Sequence, residues 1–344
     1  MPTTALFMIT AGMTTSTLMV TLSHHWLMAW LALELNTISI LPMITKQKHP
    51  RSAEAATKYF LTQAVASSLM LFSSTLNAWQ TGSWYITQLD NKLAYTLMVS
   101  ALVMKMGAAP AHFWLPEVLQ GSTLFTSLVI TTWQKVAPMT LLYMIPNHNQ
   151  SNILLVTGML SVFVGGWGGI NQTQLRKMMA FSSIAHLGWT MVAMSAAPNI
   201  SLLNIFIYMI MSTPAFLMFA TMSVKTLRDM TTAWTTCPLS GLLMMLLLLS
   251  MAGLPPLAGF TPKLLILNVL VMHKSTATAA ALAMLSLLSL IFYLRMAYLL
   301  ISMIPPATAQ SETLWRLKAH HTQLTAILMP FALFNITILP ALIF

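Results

Sequence analysis

Acid is the scarcest thing in this chain. Six Asp and Glu residues stand among 344, against sixteen Lys and Arg, and charge of both signs together reaches only 6%. A soluble globular domain carries about 25%. A surface this poor in charge excludes a domain dissolved in water and makes lipid the solvent. Cysteine is almost missing as well. Cys237 stands alone, which excludes an intrachain disulfide and an iron–sulfur cluster, whose ligation takes about four thiolates. No residue cluster suggests haem, zinc or a catalytic triad. Met1 leads directly into an apolar segment, without the Arg-rich amphipathic stretch of a transit peptide.

What the chain does have is apolar length. Hydrophobic residues make up 57% and mean hydropathy is +0.76. Thirty methionines exceed what adaptable core packing asks for and suggest the codon usage of animal mitochondrial genomes. Apolar runs of about 20 residues, the length that crosses a bilayer, recur about eleven times. They cover approximately residues 3–22, 25–45, 56–78, 93–121, 124–144, 152–170, 175–195, 200–223, 238–272, 276–302 and 323–343. The expectation is an all-α polytopic membrane protein forming a single transmembrane domain, with about 11 transmembrane helices.

The fourth and ninth runs are too long and are interrupted. One contains Lys105-Met-Gly107 followed by Pro110; the other contains Gly253, Pro255, Pro256, Gly259 and Pro262-Lys263. Proline removes a backbone donor and clashes with the preceding turn, and backbone freed in that way is tolerated in a membrane only inside protein or beside water. Both runs therefore read as broken helices facing the interior. They lie five spans apart, and a repeat of five spans places its second copy upside down. Inverted repeats at about 1–145 and 150–302 follow, with a C-terminal helix at about 323–343; matched breaks in such repeats point to a site near the midplane.

The net charge of +10 is a topology signal and not a nucleic-acid footprint, since the bases lie in short loops without interleaved aromatics. Lys46, Lys48 and Arg51, then Arg176 and Lys177, then Lys225 and Arg228, then Arg316 and Lys318 all follow even-numbered spans. The opposite loops hold little beyond Lys92 and Lys274, with Asp90 near the former. The basic side belongs in the matrix or cytoplasm, with the N-terminus on it and the C-terminus opposite.

Charge inside the spans carries the functional expectation. Glu34 is central in the second span, while Glu54, Asp90, Glu117, Asp229 and Glu312 fall in loops or at span ends. A charge at the bilayer centre costs roughly 2.5–3.5 kcal/mol on insertion scales, so it needs a partner or water and defaults to function. Lys105, Lys135 and Lys263 match Glu34 in depth and lie too far from either interface to snorkel. A Glu34–Lys105 pair could toggle a lysine between holding and releasing a proton, and a row of such groups makes a proton wire. His112 and His186 are possible relays or hydrogen-bonded interior groups. Lys58, four residues after Glu54, reads as an i,i+4 ion pair or as a proton access point. His24, His25, His49, His320 and His321 read as solvated loop residues, and Arg295 as a snorkelling side chain. Gly165, Gly166, Gly168 and Gly169 lie in an apolar span and read as close helix packing, not as a dinucleotide loop, which needs a preceding strand.

Several stretches resemble one family. They are Glu34 in its apolar setting, Lys105-Met-Gly107 through Pro116-Glu117 to Gly121, Asn171 through Arg176-Lys177 to His186 and Trp189, and Gly253 through Phe260 to Lys263. Together they resemble the subunit 2 family of NADH dehydrogenase, the mitochondrially encoded antiporter-like membrane subunits of respiratory complex I. The resemblance covers essentially the whole chain. It implies a subunit of a proton-pumping NADH:ubiquinone oxidoreductase, in the mitochondrial inner membrane, that binds no cofactor itself; NADH, FMN, iron–sulfur clusters and ubiquinone belong to other subunits. It implies subunit 4, subunit 4L, subunit 6, accessory subunits and phospholipid as neighbours, with no nucleic acid. It carries the family's membrane Glu and Lys onto Glu34, Lys105, Lys135 and Lys263. Antiporter-like relatives have about fourteen spans, and the animal form lacks the first three, which fits about eleven here. Ala111 stands where the family often carries a bulkier residue. The charge pattern alone leaves open a subunit of a cation/proton antiporter, or a purely structural membrane subunit.

Overall fold

The computed structural model describes residues 3–47, 49–145, 151–231, 238–302 and 322–334. Lys48, Cys237, Glu312, Arg316, Lys318, His320, His321 and the last part of the expected C-terminal span lie outside the described residues. Within them every regular element is helical. Five helices are long and apolar enough to cross a membrane: Thr3–Leu22, Trp26–Ile44, Asn152–Ile170, Pro198–Thr221 and Thr276–Ile301. Their outward faces remain apolar, with Phe7, Met8, Leu22, Trp167 and Tyr298 all exposed. Lipid is the solvent that makes such a surface stable. The chain is an all-helical membrane protein.

It divides into two compact units, Met1–Thr157 and Gly158–Phe344. The first holds α1 (Thr3–Leu22), α2 (Trp26–Ile44), α3 (Pro50–Thr81), α4 (Lys92–Met106), α5 (Trp114–Gly121), α6 (Leu124–Thr131) and α7 (Val136–Met144), with a 3-10 turn at Trp133–Lys135 before α7. α1 packs on α2 and α7, and α3 on α4 and α5. The start of α8 (Ser151–Ile170) closes this unit. The second unit holds the rest of α8, α9 (Leu175–Ala196), α10 (Pro198–Thr221), α11 (Leu227–Thr231), α12 (Pro238–Ala252), α13 (Phe260–Met272), α14 (Thr276–Ser302) and α15 (Thr322–Leu333). Its core joins α8, α9, α13 and α14 through Val162, Trp189, Val192, Ile266, Leu270 and Leu282.

The glycines of α8 bring helices together, as their pattern suggests. A Cβ on Gly165 would stand 2.6 Å from the backbone nitrogen of Ala185 on α9, and one on Gly166 would stand 2.7 Å from Cβ of Leu288 on α14. Close backbone approach of this kind drives helix association where lipid offers no hydrophobic gain. Hydroxyls in the helices turn back on their own backbone: Ser161 donates to Gly158, Ser182 to Met179 and Thr190 to Leu187, each at 2.7 Å. No polar side chain is left bare by such a bond.

Two local devices recur in both units. α4 ends in a glycine with φ +75°, Gly107, where Gly107 N–H donates to Met104 and Ala108 N–H to Val103. α12 ends the same way at Gly253, φ +82°, with Gly253 N–H donating to Ser250 and Leu254 N–H to Leu249. Both are Schellman closures, which need a residue free to adopt the left-handed conformation. The second device is a two-rung pairing of loops. Trp26 N–H donates to Trp84 and Ile86 N–H to His24; in the other unit Leu175 N–H donates to Lys225 and Leu227 N–H to Thr173.

The run at 124–144, expected as one helix, is also interrupted. α6 stops at Thr131 and the chain tightens to 3-10 geometry over Trp133–Lys135 before α7 begins. Pro138 gives the reason. It has no N–H for the carbonyl of Gln134, and its ring crowds that carbonyl. His25 and His49 do more than the solvated loop residues expected of them. Each caps a helix, His25 accepting from Leu27 N–H and His49 from Arg51 N–H, both at 3.2 Å. His25 additionally stacks on Trp84, centroid to centroid 5.8 Å.

Candidate functional site

Lys105 occupies the last turn of α4, immediately before the Schellman closure. A helix end leaves carbonyls without intrahelical partners, and here two side chains from elsewhere supply them. Gln63 on α3 donates to the carbonyl of Lys105 at 3.2 Å, and the Trp114 indole donates to the carbonyl of Met104 at 3.2 Å. The Lys105 side chain is 6% exposed, and its Nζ has no hydrogen-bond partner in the protein. A buried polar group without a partner marks a place of functional interest.

Lys135 closes the 3-10 turn and is 3% exposed. Lys105 and Lys135, thirty positions apart in sequence, line one cavity of about 20 Å³. Its remaining polar wall comes from Asn36, Thr37, Tyr59, Gln63 and Gln134. A cavity of about 10–15 Å³ already holds one water, provided two to four polar partners face it. This chamber meets both conditions.

Glu34 lies on α2 and is part-buried, with the Thr37 hydroxyl donating to its carbonyl at 2.8 Å and standing 3.3 Å from Oε2. It makes no ion pair with Lys105, so the direct pair suggested by the sequence is absent. Asn36, two residues on, bridges the space instead: Gln134 Nε2 donates to Asn36 Oδ1 at 3.0 Å.

Lys263 lies in the first turn of α13, after the second break. Its Nζ donates to the carbonyl of Ala252, the last residue of α12, at 2.7 Å. A cation at a helix C-terminus complements the partial negative charge there. The same ammonium stands 5.9 Å from the Trp189 ring centroid, a cation–π distance. His186, one turn before Trp189 on α9, packs its ring 5.0 Å from that of Tyr208. His112 lies within the first break with Nδ1 3.1 Å from the Pro110 carbonyl.

Lys58 is an ion-pair centre. It contacts Glu54 at 2.5 Å, as the spacing suggests, and also Glu117 of α5 at 2.6 Å. Glu54, outside the span, is held below the usual carboxylate range by its hydrogen bond to Lys58. The sequence did not connect Glu117 to Lys58, because 59 positions separate them. Asn36, Gln63, Trp114 and Gln134 were missed too, since uncharged amides and an indole raise no flag in an apolar run. The only available signal was their spacing from Glu34, Lys105 and Lys135.

The match to known proteins now has geometry to rest on. Residues 23–291 match the family described as NADH:quinone oxidoreductase/Mrp antiporter, TM. NADH-ubiquinone oxidoreductase chain 2 of Xenopus laevis is 49% identical over 90% of this chain and 89% of its own length. That of Varanus baritji is 47% identical over 98% of both. The chain belongs to the NADH-ubiquinone oxidoreductase chain 2 family. Fold comparison agrees. A chain of respiratory complex I from Thermus thermophilus superposes with TM-score 0.81 at 24% identity, over 98% of this chain and 79% of that one. A chain of the Mrp complex from Dietzia sp. DQ12-45-1b gives 0.76 at 18%, over 90% and 64%. Such identities carry the fold alone; the family rests on the closer relatives.

Proposed function

We propose that this chain is a core membrane-arm subunit of a proton-pumping NADH:ubiquinone oxidoreductase of the mitochondrial inner membrane, conducting protons through Glu34, Lys105, Lys135 and Lys263. The observation that carries this reading is the pair of buried lysines, Lys105 and Lys135, on one water-sized chamber. Each buried ammonium is costly in an apolar solvent. Two of them facing one water make sense as donor and acceptor of a transferred proton. Glu34 biases Lys105 by its charge, and Lys263 is the conducting lysine of the second unit, beside its break. His112, His186 and Lys58 are further relay candidates, Lys58 at the entry side through its two carboxylates.

NADH, FMN, the iron–sulfur clusters and ubiquinone belong to other subunits, so this chain couples to their chemistry without a redox centre. Its neighbours are subunits 4, 4L and 6, accessory subunits and phospholipid. About eleven spans, with the matched breaks in the fourth and ninth, form inverted five-span repeats followed by a last helix. The occurrence in both units of a glycine-based Schellman break and of a loop pairing supports the repeat. On the positive-inside reading of the basic loops, the N-terminus faces the matrix and the C-terminus the intermembrane space.

The test is made on the assembled complex. Glu34→Gln and Lys105→Met are expected to lower NADH:ubiquinone turnover and proton pumping at least tenfold while NADH oxidation by an artificial acceptor continues. Normal pumping by both assembled variants would remove these residues from the path. Recovery of the chain as a self-sufficient cation/proton exchanger, outside any NADH-oxidising complex, would remove the subunit assignment.

A further inference from the structure

The amides on the chamber wall have no role in the row of ionisable groups, yet they are the groups that join its parts. Asn36 is 2% exposed and lies two residues after Glu34. Gln134 immediately precedes Lys135 inside the 3-10 turn. Their bond at 3.0 Å is the hydrogen bond from the turn of Lys135 to the helix of Glu34. The turn needs such a tie. Pro138 strips the Gln134 carbonyl of its helical partner, and a short 3-10 segment is a weak hold on a side chain.

The bond leaves both amides with unused capacity. Gln134 Nε2 and Asn36 Oδ1 are engaged with each other, and each amide still has an opposite polar end. Gln63 has spent its Nε2 on the Lys105 carbonyl and likewise keeps an oxygen. These residues line the chamber with Lys105, whose Nζ has no protein partner. A water there can accept from an ammonium and be held by the amides at the same time.

We propose that Asn36 and Gln134 are positioning residues for proton transfer: their mutual hydrogen bond fixes the turn of Lys135 relative to α2, and their free amide ends orient a water between Lys105 and Lys135. This rests on the proton-conducting reading above. The proton leaves one ammonium for the water as another proton leaves the water for the second amine, so no net charge stays on the water. Uncharged amides suit this task. A carboxylate at either position would trap the proton, whereas an amide binds water and does not titrate.

Asn36→Leu and Gln134→Met keep side-chain volume and delete the amide. In the assembled complex, each is expected to lower turnover and pumped protons per NADH several-fold and to raise the solvent isotope effect on turnover. The double variant should be no worse than the poorer single, since one bond is lost in each case. The exchanged pair, Asn36→Gln with Gln134→Asn, conserves the summed length of the bridge and should recover much of the activity. A role in packing alone predicts normal isotope effects and no recovery by the exchanged pair. Should the Leu or Met variant fail to assemble, Asn36→Ser, which falls short of Gln134, is measured instead. Normal pumping and isotope effect in the amide-deleting variants, with Lys135→Met impaired, overturns this proposal alone. Normal pumping in Lys135→Met overturns the reading beneath it.

Discussion

Three lysines, two buried and one part-buried, solve one problem in different ways, and the difference can be measured. Lys105 has no protein partner at Nζ and lines a water-sized chamber, Lys135 lines the same chamber, and Lys263 donates to the Ala252 carbonyl. Lys263 therefore has a structural task beside any proton task, since its bond closes a helix end opened by Gly253. The two tasks separate under substitution. Lys263→Met removes a charge-assisted hydrogen bond, which contributes about 1.5–3 kcal/mol, and removes the proton. Lys263→Gln keeps a donor but cannot titrate. Both variants are expected to lose pumping, and only the Gln variant should keep thermal stability of the membrane arm near the parent value. Pumping restored by Gln would make Lys263 a cap and nothing more. Lys105 and Lys263 were legible in the sequence because each stands beside Gly and Pro, which punctuate a span visibly. Asn36 and Gln134 were not, because their partnership spans 98 positions and neither residue is costly enough alone to draw notice.

At the scale of elements, the sequence described helices well and interruptions unevenly. The first run, at 3–22, coincides with α1, and the breaks after Lys105 and before Lys263 fall at paired Gly and Pro signals. The interruption at Trp133–Lys135 was hidden because Pro138 is a single proline, and the strain it causes appears four residues earlier, where Lys135 had been placed in a continuous helix. The glycines of α8 were read correctly because four in the five positions 165–169 leave little besides packing to explain them. Gly165→Leu tests that packing. Its Cβ would meet the Ala185 backbone, which has no rotamer by which to yield, so destabilisation of about 1–3 kcal/mol or more is expected, visible as a lowered melting temperature and reduced incorporation into the complex. Parent-like melting would mean that α8 and α9 can separate without cost. The α10–α11 turn gives a pH-dependent test. Burial pushes the Asp229 carboxyl up, but backbone N–H groups of Thr226 and Lys225 donate to it at 2.9 and 3.0 Å and hold it below the usual carboxylate range. A depressed folded pKa stabilises above the unfolded value and is lost as pH falls through the folded one. Amide exchange protection of residues 225–229 should therefore persist from neutral pH down to about 4 and fall below it. In Asp229→Asn it should be weak throughout.

Both units carry a glycine-based Schellman break, a loop pairing and a lysine beside that break. The repetition raises a kinetic question that neither unit answers alone, namely whether Lys105 and Lys263 serve one path or two. Two independent paths would each carry part of the flux, and removing one would leave the other. A single path has no such reserve, because every proton must visit both groups. Losses at steps of one unit of function are strongly non-additive, while losses at independent sites combine. Serial conduction therefore predicts that Lys105→Met and Lys263→Met each abolish most pumping, and that the double variant is no worse than the poorer single within error. Parallel conduction predicts partial loss in each single variant and a far deeper loss in the double. The measurement is the ratio of pumped protons to NADH oxidised in sealed vesicles, taken for both singles and the double at matched content of assembled complex. A double variant clearly below both singles would break the row into separate channels, and with it the idea that the two lysines beside the breaks act in sequence.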